Sequence, residues 1–319
     1  MKNTILCLYF YILSVSCFGQ KPIYYDVSES EIEYVSPNGI IYGSLMLPVV
    51  SSGKVPVVLI IAGSGPTDRN GNNPQMSNNS LKMLADSLAR HGYASVRYDK
   101  RGIAQSQGAA QKESDLRFED YINDASGWVT MLRSDSRFSK FIIAGHSEGS
   151  LIGMIAANKS GADAFISLAG AGFRADLILK QQIAIGSPII SETCNVIIDS
   201  LADGHIVQNV HPMLQSLFRQ SVQPYLISWF KYDPQVWISK LNIPVLIIQP
   251  AHDIQVSIDN GKALAQSLPA AVYKEIEEMN HILKAAPLDR AANIATYNQP
   301  DLPLHEKLVQ PVISFLYDL

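Results

Sequence analysis

Read only as apolar and polar positions, the chain alternates between two rhythms. Glu31 to Val35 and Ile40 to Leu47 are extended stretches on either side of Ser36-Pro37-Asn38-Gly39. An Asn-Gly turn between such runs predicts a β-hairpin. Val55 to Ala62 is nearly unbroken Val, Leu and Ile, the pattern of a strand covered on both faces. Ser80 to Arg90 has the period of a helix, with Ser80 as its N-cap and His91-Gly92 at its end.

The alternation continues along the chain. Strands are predicted at Ala94–Tyr98, Phe141–Ala144 and Ala164–Ala169, with helices at Phe118–Arg133 and Gly149–Asn158 between them. After Gly172 the pattern changes. From Phe173 to about Trp237 there is helical periodicity and no buried strand, which predicts a helical lid inserted over the sheet. Strand and helix signals then resume: Val245–Gln249, Asp259–Leu268, Val272–Ile276 and a closing helix over Leu304–Leu316. Strands alternating with helices imply an α/β fold with a mostly parallel central sheet and helices on both faces. No internal repeat or low-complexity linker interrupts it.

Composition narrows the picture further. At 319 residues with 47% apolar content, the chain can build one large domain with a full core. A net charge of −4 supplies no basic stripe, so a nucleic-acid partner is not expected. Lys2, the apolar run from Ile5 to Val15 and the small residues before Cys17-Phe18-Gly19-Gln20 read as a signal peptide spanning 1–19, cleaved after Gly19. That implies a secreted or periplasmic domain from residue 20 onward. The run is shorter than the ~20 residues a membrane-spanning helix needs, and no membrane span is expected elsewhere. The alternatives are an uncleaved anchor and a lipid attached at Cys17. With Cys7 and Cys17 removed, Cys194 would be a lone packing residue and no internal disulfide could form.

The candidate chemistry centres on Gly145-His146-Ser147-Glu148-Gly149. The pentapeptide G-x-S-x-G is weak evidence alone, but its setting strengthens it. An apolar strand precedes it directly and a helix rich in small residues follows. This is the strand–turn–helix context in which such a serine stands exposed on a sharp turn. The following helix N-terminus offers a backbone N–H and a partial positive charge where an oxyanion would form.

A serine hydroxyl needs a base, and the base needs an orienting partner. On a sheet carrying this turn the chain order is nucleophile, acid, histidine, each at the carboxyl end of a strand. His281, past the last strand, fits the base, with His252 as its rival. Asp253, just after Val245–Gln249, fits the acid, while Asp259 reads as a helix N-cap. The remaining histidines have plainer readings: His91 ends a helix, His305 begins one, and His205 and His211 lie in the insertion. His146 adjoins the serine on a tight turn and is expected to point away from it.

The loop Ala62-Gly63-Ser64-Gly65-Pro66-Thr67-Asp68-Arg69-Asn70 follows the first central strand. It would supply the second oxyanion donor, the N–H of Ser64, alongside that of Glu148; Gly65 is the near alternative. No Gly-Lys-Ser/Thr follows, which excludes a phosphate-binding P-loop. Gly170-Ala171-Gly172-Phe173-Arg174-Ala175 nearly matches a dinucleotide fingerprint but lacks the acidic residue about 20 positions on. No metal-ligand cluster is evident and no cofactor is expected.

These segments resemble the bacterial α/β-hydrolases of the esterase and serine aminopeptidase-like subgroup. The resemblance runs from about residue 30 to the end. It rests on Ala62–Asn72, on Arg97-Tyr98-Asp99-Lys100-Arg101-Gly102, on Gly145–Gly149, and on Asp253-Ile254-Gln255-Val256 with Asn280-His281. It implies the triad Ser147, Asp253 and His281, and an oxyanion loop at Gly63 and Ser64. Two departures stand out. Ala104 occupies the place of the second glycine in the family's Arg-Gly-x-Gly-x-Ser, and Ala62-Gly63 replaces the common His-Gly. Asp99 and Arg101 read as structural, holding the loop by an ion pair or hydrogen bonds.

The expected activity is hydrolysis of a small-molecule carboxylic ester through an acyl-enzyme on Ser147. A thioesterase or peptidase could use the same three residues. A non-catalytic binding protein on a hydrolase scaffold is the reading from another class.

Overall fold

The computed structural model describes residues 24–319 apart from Ser51 and Gln111. The leader expected at 1–19, with Cys7 and Cys17, lies outside the described residues.

The predicted hairpin is β1 (Val27–Ser36) and β2 (Gly39–Pro48), which pair antiparallel with Ser36 opposite Gly39. Then come β3 (Val55–Ile61), α1 (Ser80–Arg90), β4 (Ala94–Tyr98), α2 (Phe118–Arg133), β5 (Phe138–His146), α3 (Glu148–Ser160) and β6 (Ala164–Leu168). Between β6 and β7 the chain lays down only helices: α4 (Ala175–Gly186), α5 (Ser191–Ala202), α6 (Gln215–Phe218), α7 (Gln223–Trp229) and α8 (Pro234–Ile238). The chain closes with β7 (Val245–Pro250), α9 (Ile258–Ser267), β8 (Val272–Ile276), α10 (Arg290–Ala295) and α11 (Glu306–Tyr317).

The strands form one eight-stranded sheet in the order β1-β2-β4-β3-β5-β6-β7-β8. β2 runs antiparallel to β1 and β4, and the pairs from β4 onward are parallel. The continuous apolar runs follow from burial on both faces. In β3, Val57, Leu59 and Ile61 pack with Trp128 of α2 and Ile152 of α3. Val58 and Ile60 of the same strand pack with Leu84 and Leu88 of α1 and Leu308 and Val312 of α11. Each such side chain contributes about 1.5–3 kcal/mol by leaving water, so the sheet is rigid where it carries the site.

Several local readings are corrected. Ser80 is the first residue of α1 rather than its cap; Asn79, in the left-handed region at φ 56°, is the cap. Ser257, not Asp259, caps α9, and Asp259 sits in its first turn. The short helix α10 was not foreseen. Cys194 is free and fully buried. Among the described residues no helix is long and apolar enough to cross a membrane.

Candidate active site

Parallel strands collect their loops at one edge of the sheet, where ligands of open α/β sheets bind. The loops after β3, β5, β7 and β8 carry Ser64, Ser147, Asp253 and His281 to that edge. Ser147 lies between β5 and α3 at φ 54° and ψ −122°, a backbone conformation that costs a non-glycine residue of order 1–3 kcal/mol. The flanking glycines are obligatory here. A Cβ on Gly145 would sit 2.1 Å from the Gly149 carbonyl oxygen, and one on Gly149 would sit 2.4 Å from that of Ile61. The turn exists because strand, elbow and helix can touch backbone to backbone.

His281 follows β8 and Asp253 follows β7. Nδ1 of His281 lies 2.7 Å from Oδ2 of Asp253, and both side chains are buried. The other carboxylate oxygen accepts from the backbone N–H groups of Gln255 at 2.8 Å and Val256 at 2.9 Å. A carboxylate only accepts, so Nδ1 is the donor; in the neutral tautomer this selects, Nε2 is the acceptor. Ser147 and His281 line the same cavity of about 190 Å³, with no hydrogen bond between them in this conformation. The rival His252 is committed elsewhere, its Nδ1 on the carbonyl of Ala286 at 2.7 Å.

Among the described residues, the N–H groups of Ser64 and Glu148 donate to no protein acceptor. For Glu148 this follows from its place as the first residue of α3, where helix N–H groups are orphaned. Ser64, Ser147 and Glu148 all border a second, larger cavity of about 590 Å³. Its walls include Leu151 of α3 together with Ile178, Ile183, Phe218, Leu226 and Trp229 from the inserted helices. A wider open groove of about 990 Å³ near Arg90 and His305 has a mixed polar and apolar lining and does not include Ser147.

The glycine- and asparagine-rich loop is a built structure. Oδ1 of Asp68 accepts from the N–H groups of Asn70 and Asn72, and Oδ1 of Asn72 from those of Asn78 and Asn79. Asp99 anchors it from β4, accepting the Arg69 backbone N–H at 2.8 Å and its guanidinium at 2.7 Å. Asp99 and Arg101 are therefore structural but do not pair with each other. Arg101 makes a two-point contact with Asp124 of α2, Nε to Oδ2 at 3.0 Å and Nη2 to Oδ1 at 2.5 Å. Ala104 adopts φ 43°, a left-handed conformation that glycine would hold without strain.

Five side chains outside the expected triad and oxyanion donors bear on the site. The ring of His146 lies 4.9 Å from that of His281, and its Nε2 bonds the His281 carbonyl at 2.7 Å. Burial, with the neighbouring His281 adding to it, lowers its pKa to about 4, so it stays neutral. Asn280 and Asn293 brace the loops that carry His281 and Asp253: Asn280 donates to Thr296 at 2.8 Å, and Asn293 to the His252 carbonyl at 2.9 Å. Lys100 bonds the Gly63 carbonyl at 2.5 Å and the Glu148 carboxylate at 2.9 Å. Tyr225 of α7 donates to the other oxygen of that carboxylate. Burial and the Glu148 charge raise the Tyr225 phenol well above its ordinary value, which keeps it a donor. His146, Lys100 and Asn280 lie inside the motifs quoted above and so carried a sequence signal; Asn293 and Tyr225 did not. Among the described residues there is no cluster suited to a metal ion.

The fold is that of the α/β-hydrolases, with a serine at the elbow and a histidine–aspartate pair beyond the last two strands. A family model described as serine aminopeptidase, S33, matches residues 76–195. Among curated proteins, esterase EstD of Thermotoga maritima is 23% identical over 275 residues, which cover 82% of this chain and 62% of EstD. The chain thus spans about three-fifths of the length of that relative. Among solved structures, Est1E from Butyrivibrio proteoclasticus superposes with a TM-score of 0.59 at 17% identity, covering 90% of this chain and 98% of that one. A thermophilic esterase from Thermogutta terrifontis gives 0.55 at 16% identity, covering 91% and 98%. At these identities the structural likenesses speak for the fold.

Proposed function

We propose that the chain is a serine hydrolase that cleaves carboxylic esters through an acyl-enzyme on Ser147. The observation that carries this reading is the buried Asp253–His281 pair, whose free Nε2 belongs to a residue sharing a cavity with the strained Ser147. In the reaction Ser147 Oγ attacks the ester carbonyl and Nε2 of His281 takes its proton. Asp253 holds the ring in that tautomer and stabilises its charged form. The carbonyl oxygen, now an oxyanion, is received by the N–H groups of Ser64 and Glu148. His281 then returns the proton to the leaving alcohol, and water, deprotonated by the same ring, hydrolyses the acyl-enzyme. Contacts between serine and base tighten on substrate binding, so their looseness in the free protein is compatible with this role.

The apolar walls of the 590 Å³ cavity favour an acyl group of several carbons or an aromatic one. The Glu148 carboxylate, the acidic group on that wall, is committed to Lys100 and Tyr225. A substrate ammonium would find no free countercharge there, which favours an ester over an aminopeptidase substrate. The similarity to EstD and Est1E, both named as esterases, points the same way. The apolar N-terminal run also supports an exported domain beginning at Gln20, testable by sequencing the mature N-terminus.

The direct test of the activity is Ser147→Ala in folded protein. Hydrolysis of p-nitrophenyl butyrate falls to background, a loss of roughly 10⁶-fold if the serine acts as triad nucleophiles do. Unchanged turnover in that variant refutes the reading.

A further inference from the structure

We infer that Lys100 is the positioning residue of the oxyanion hole, a clamp that aims both amide donors at once. The inference rests on the serine-hydrolase reading above. Its geometry begins with a peptide plane. In a trans peptide the C=O and N–H point in opposite directions. The Gly63–Ser64 peptide is trans, and the Gly63 carbonyl is held at 2.5 Å by Nζ of Lys100. The Ser64 N–H is thereby aimed away from Lys100, where it meets no acceptor among the described residues and borders the cavity beside Ser147.

The same ammonium reaches the side chain of the residue that carries the second donor. Nζ lies 2.9 Å from Oε2 of Glu148, whose backbone N–H is the other free amide. Tyr225 holds Oε1 of that carboxylate from the lid side. The third direction of the ammonium is taken by the Tyr121 ring, 4.9 Å away. Lys100 is almost completely buried, so all three of its donor directions are spent on protein groups and none on water. It stands beside Asp99, which Arg69 ties to the oxyanion loop. One side chain thus fixes the loop after β3 to the first turn of α3.

A glycine-rich loop has many conformations, and a peptide flip at Gly63–Ser64 would replace a donor with a carbonyl oxygen. Preorganised donors stabilise a developing charge because they need not reorient during reaction. Lys100 supplies that restraint through geometry, since its own charge is balanced by Glu148.

Kinetics on the full chain tests the clamp. In Lys100→Met, kcat for p-nitrophenyl butyrate falls roughly 10²-fold, the scale of losing one oxyanion donor, while KM stays near the parent value. Affinity for a trifluoromethyl ketone, which forms a tetrahedral adduct, falls by a similar factor. Affinity for the corresponding methyl ketone is unchanged. Because Lys100→Met strands a buried carboxylate, the double variant Lys100→Met/Glu148→Gln is measured beside it. A double variant of parental thermal stability that stays slow supports the clamp. One that recovers parental kcat overturns it, because Lys100 would then serve only to balance Glu148. Equal losses for the two ketones would also overturn it. A parent protein that neither turns over the ester nor forms the adduct refutes the hydrolase reading itself, an outcome distinct from an active parent indifferent to Lys100.

Discussion

His146 and His281 lie with their rings 4.9 Å apart, and the first donates from Nε2 to the backbone carbonyl of the second. The residue before the elbow serine therefore steadies the loop that carries the base. It does so as a neutral ring, because burial lowers its pKa from 6.5 to about 4.

That shift has a definite sign. Above pH 6.5 the ring is neutral in both folded and unfolded chains and contributes no pH dependence. Between 6.5 and about 4 the unfolded chain takes up a proton that the folded one refuses, so stability falls with pH across that window. The full loss is on the order of 3 kcal/mol, from about 1.4 kcal/mol per unit. Denaturant melts of wild type and His146→Gln from pH 7.5 to 4.5 check this. The variant is expected to lose most of that slope; an identical slope in both would contradict the assignment.

Asp253→Asn keeps an oxygen for the Gln255 and Val256 amides, so the fold is retained. The amide no longer selects the productive tautomer of His281. Turnover of p-nitrophenyl butyrate is expected to fall roughly 10⁴-fold with little change in melting temperature. A drop of less than tenfold would remove Asp253 from the mechanism.

Ala104 holds φ 43°, where a Cβ is strained by about 1–2 kcal/mol. Ala104→Gly relieves this but adds freedom to the unfolded chain, so the net expected gain is about 1 kcal/mol or less. A higher urea midpoint at unchanged slope is the readout.

Much of the architecture was legible because it rests on local pattern. Val55–Ile61 and Val245–Pro250 are buried on both faces, and continuous Val, Leu and Ile declare this without knowledge of their neighbours. The elbow was legible because Gly145 answers to the Gly149 carbonyl within the turn itself, although Gly149 answers to Ile61 of the neighbouring strand. Charge pairing was not. Asp99 had Arg101 two residues away yet meets Arg69, thirty residues back, while Arg101 meets Asp124. Such choices depend on which loops the sheet brings together. The link from Tyr225 to Glu148 was hidden for the same reason, since it joins the inserted helices to the elbow across 77 residues. Asn79 as a left-handed cap escaped because the adjacent serine offered a stronger local signal.

The cavity walls predict a chain-length effect. Leu179, on the inserted-helix side of the 590 Å³ cavity, can be enlarged without touching Ser147, Asp253 or His281. In Leu179→Trp, kcat/KM for p-nitrophenyl hexanoate is expected to fall roughly 10–100-fold relative to the acetate, since each methylene in such a pocket is worth about 1–3 kcal/mol. Equal losses across the ester series would place the acyl group elsewhere.

The central claim is that Ser147 is a nucleophile activated by His281. The most direct measurement is intact-mass and peptide-mapping analysis after exposure to a fluorophosphonate at neutral pH. One adduct per chain is expected, on Ser147, and labelling is lost in Ser147→Ala and strongly slowed in His281→Ala. No adduct on Ser147, or labelling at an undiminished rate in His281→Ala, would contradict the account.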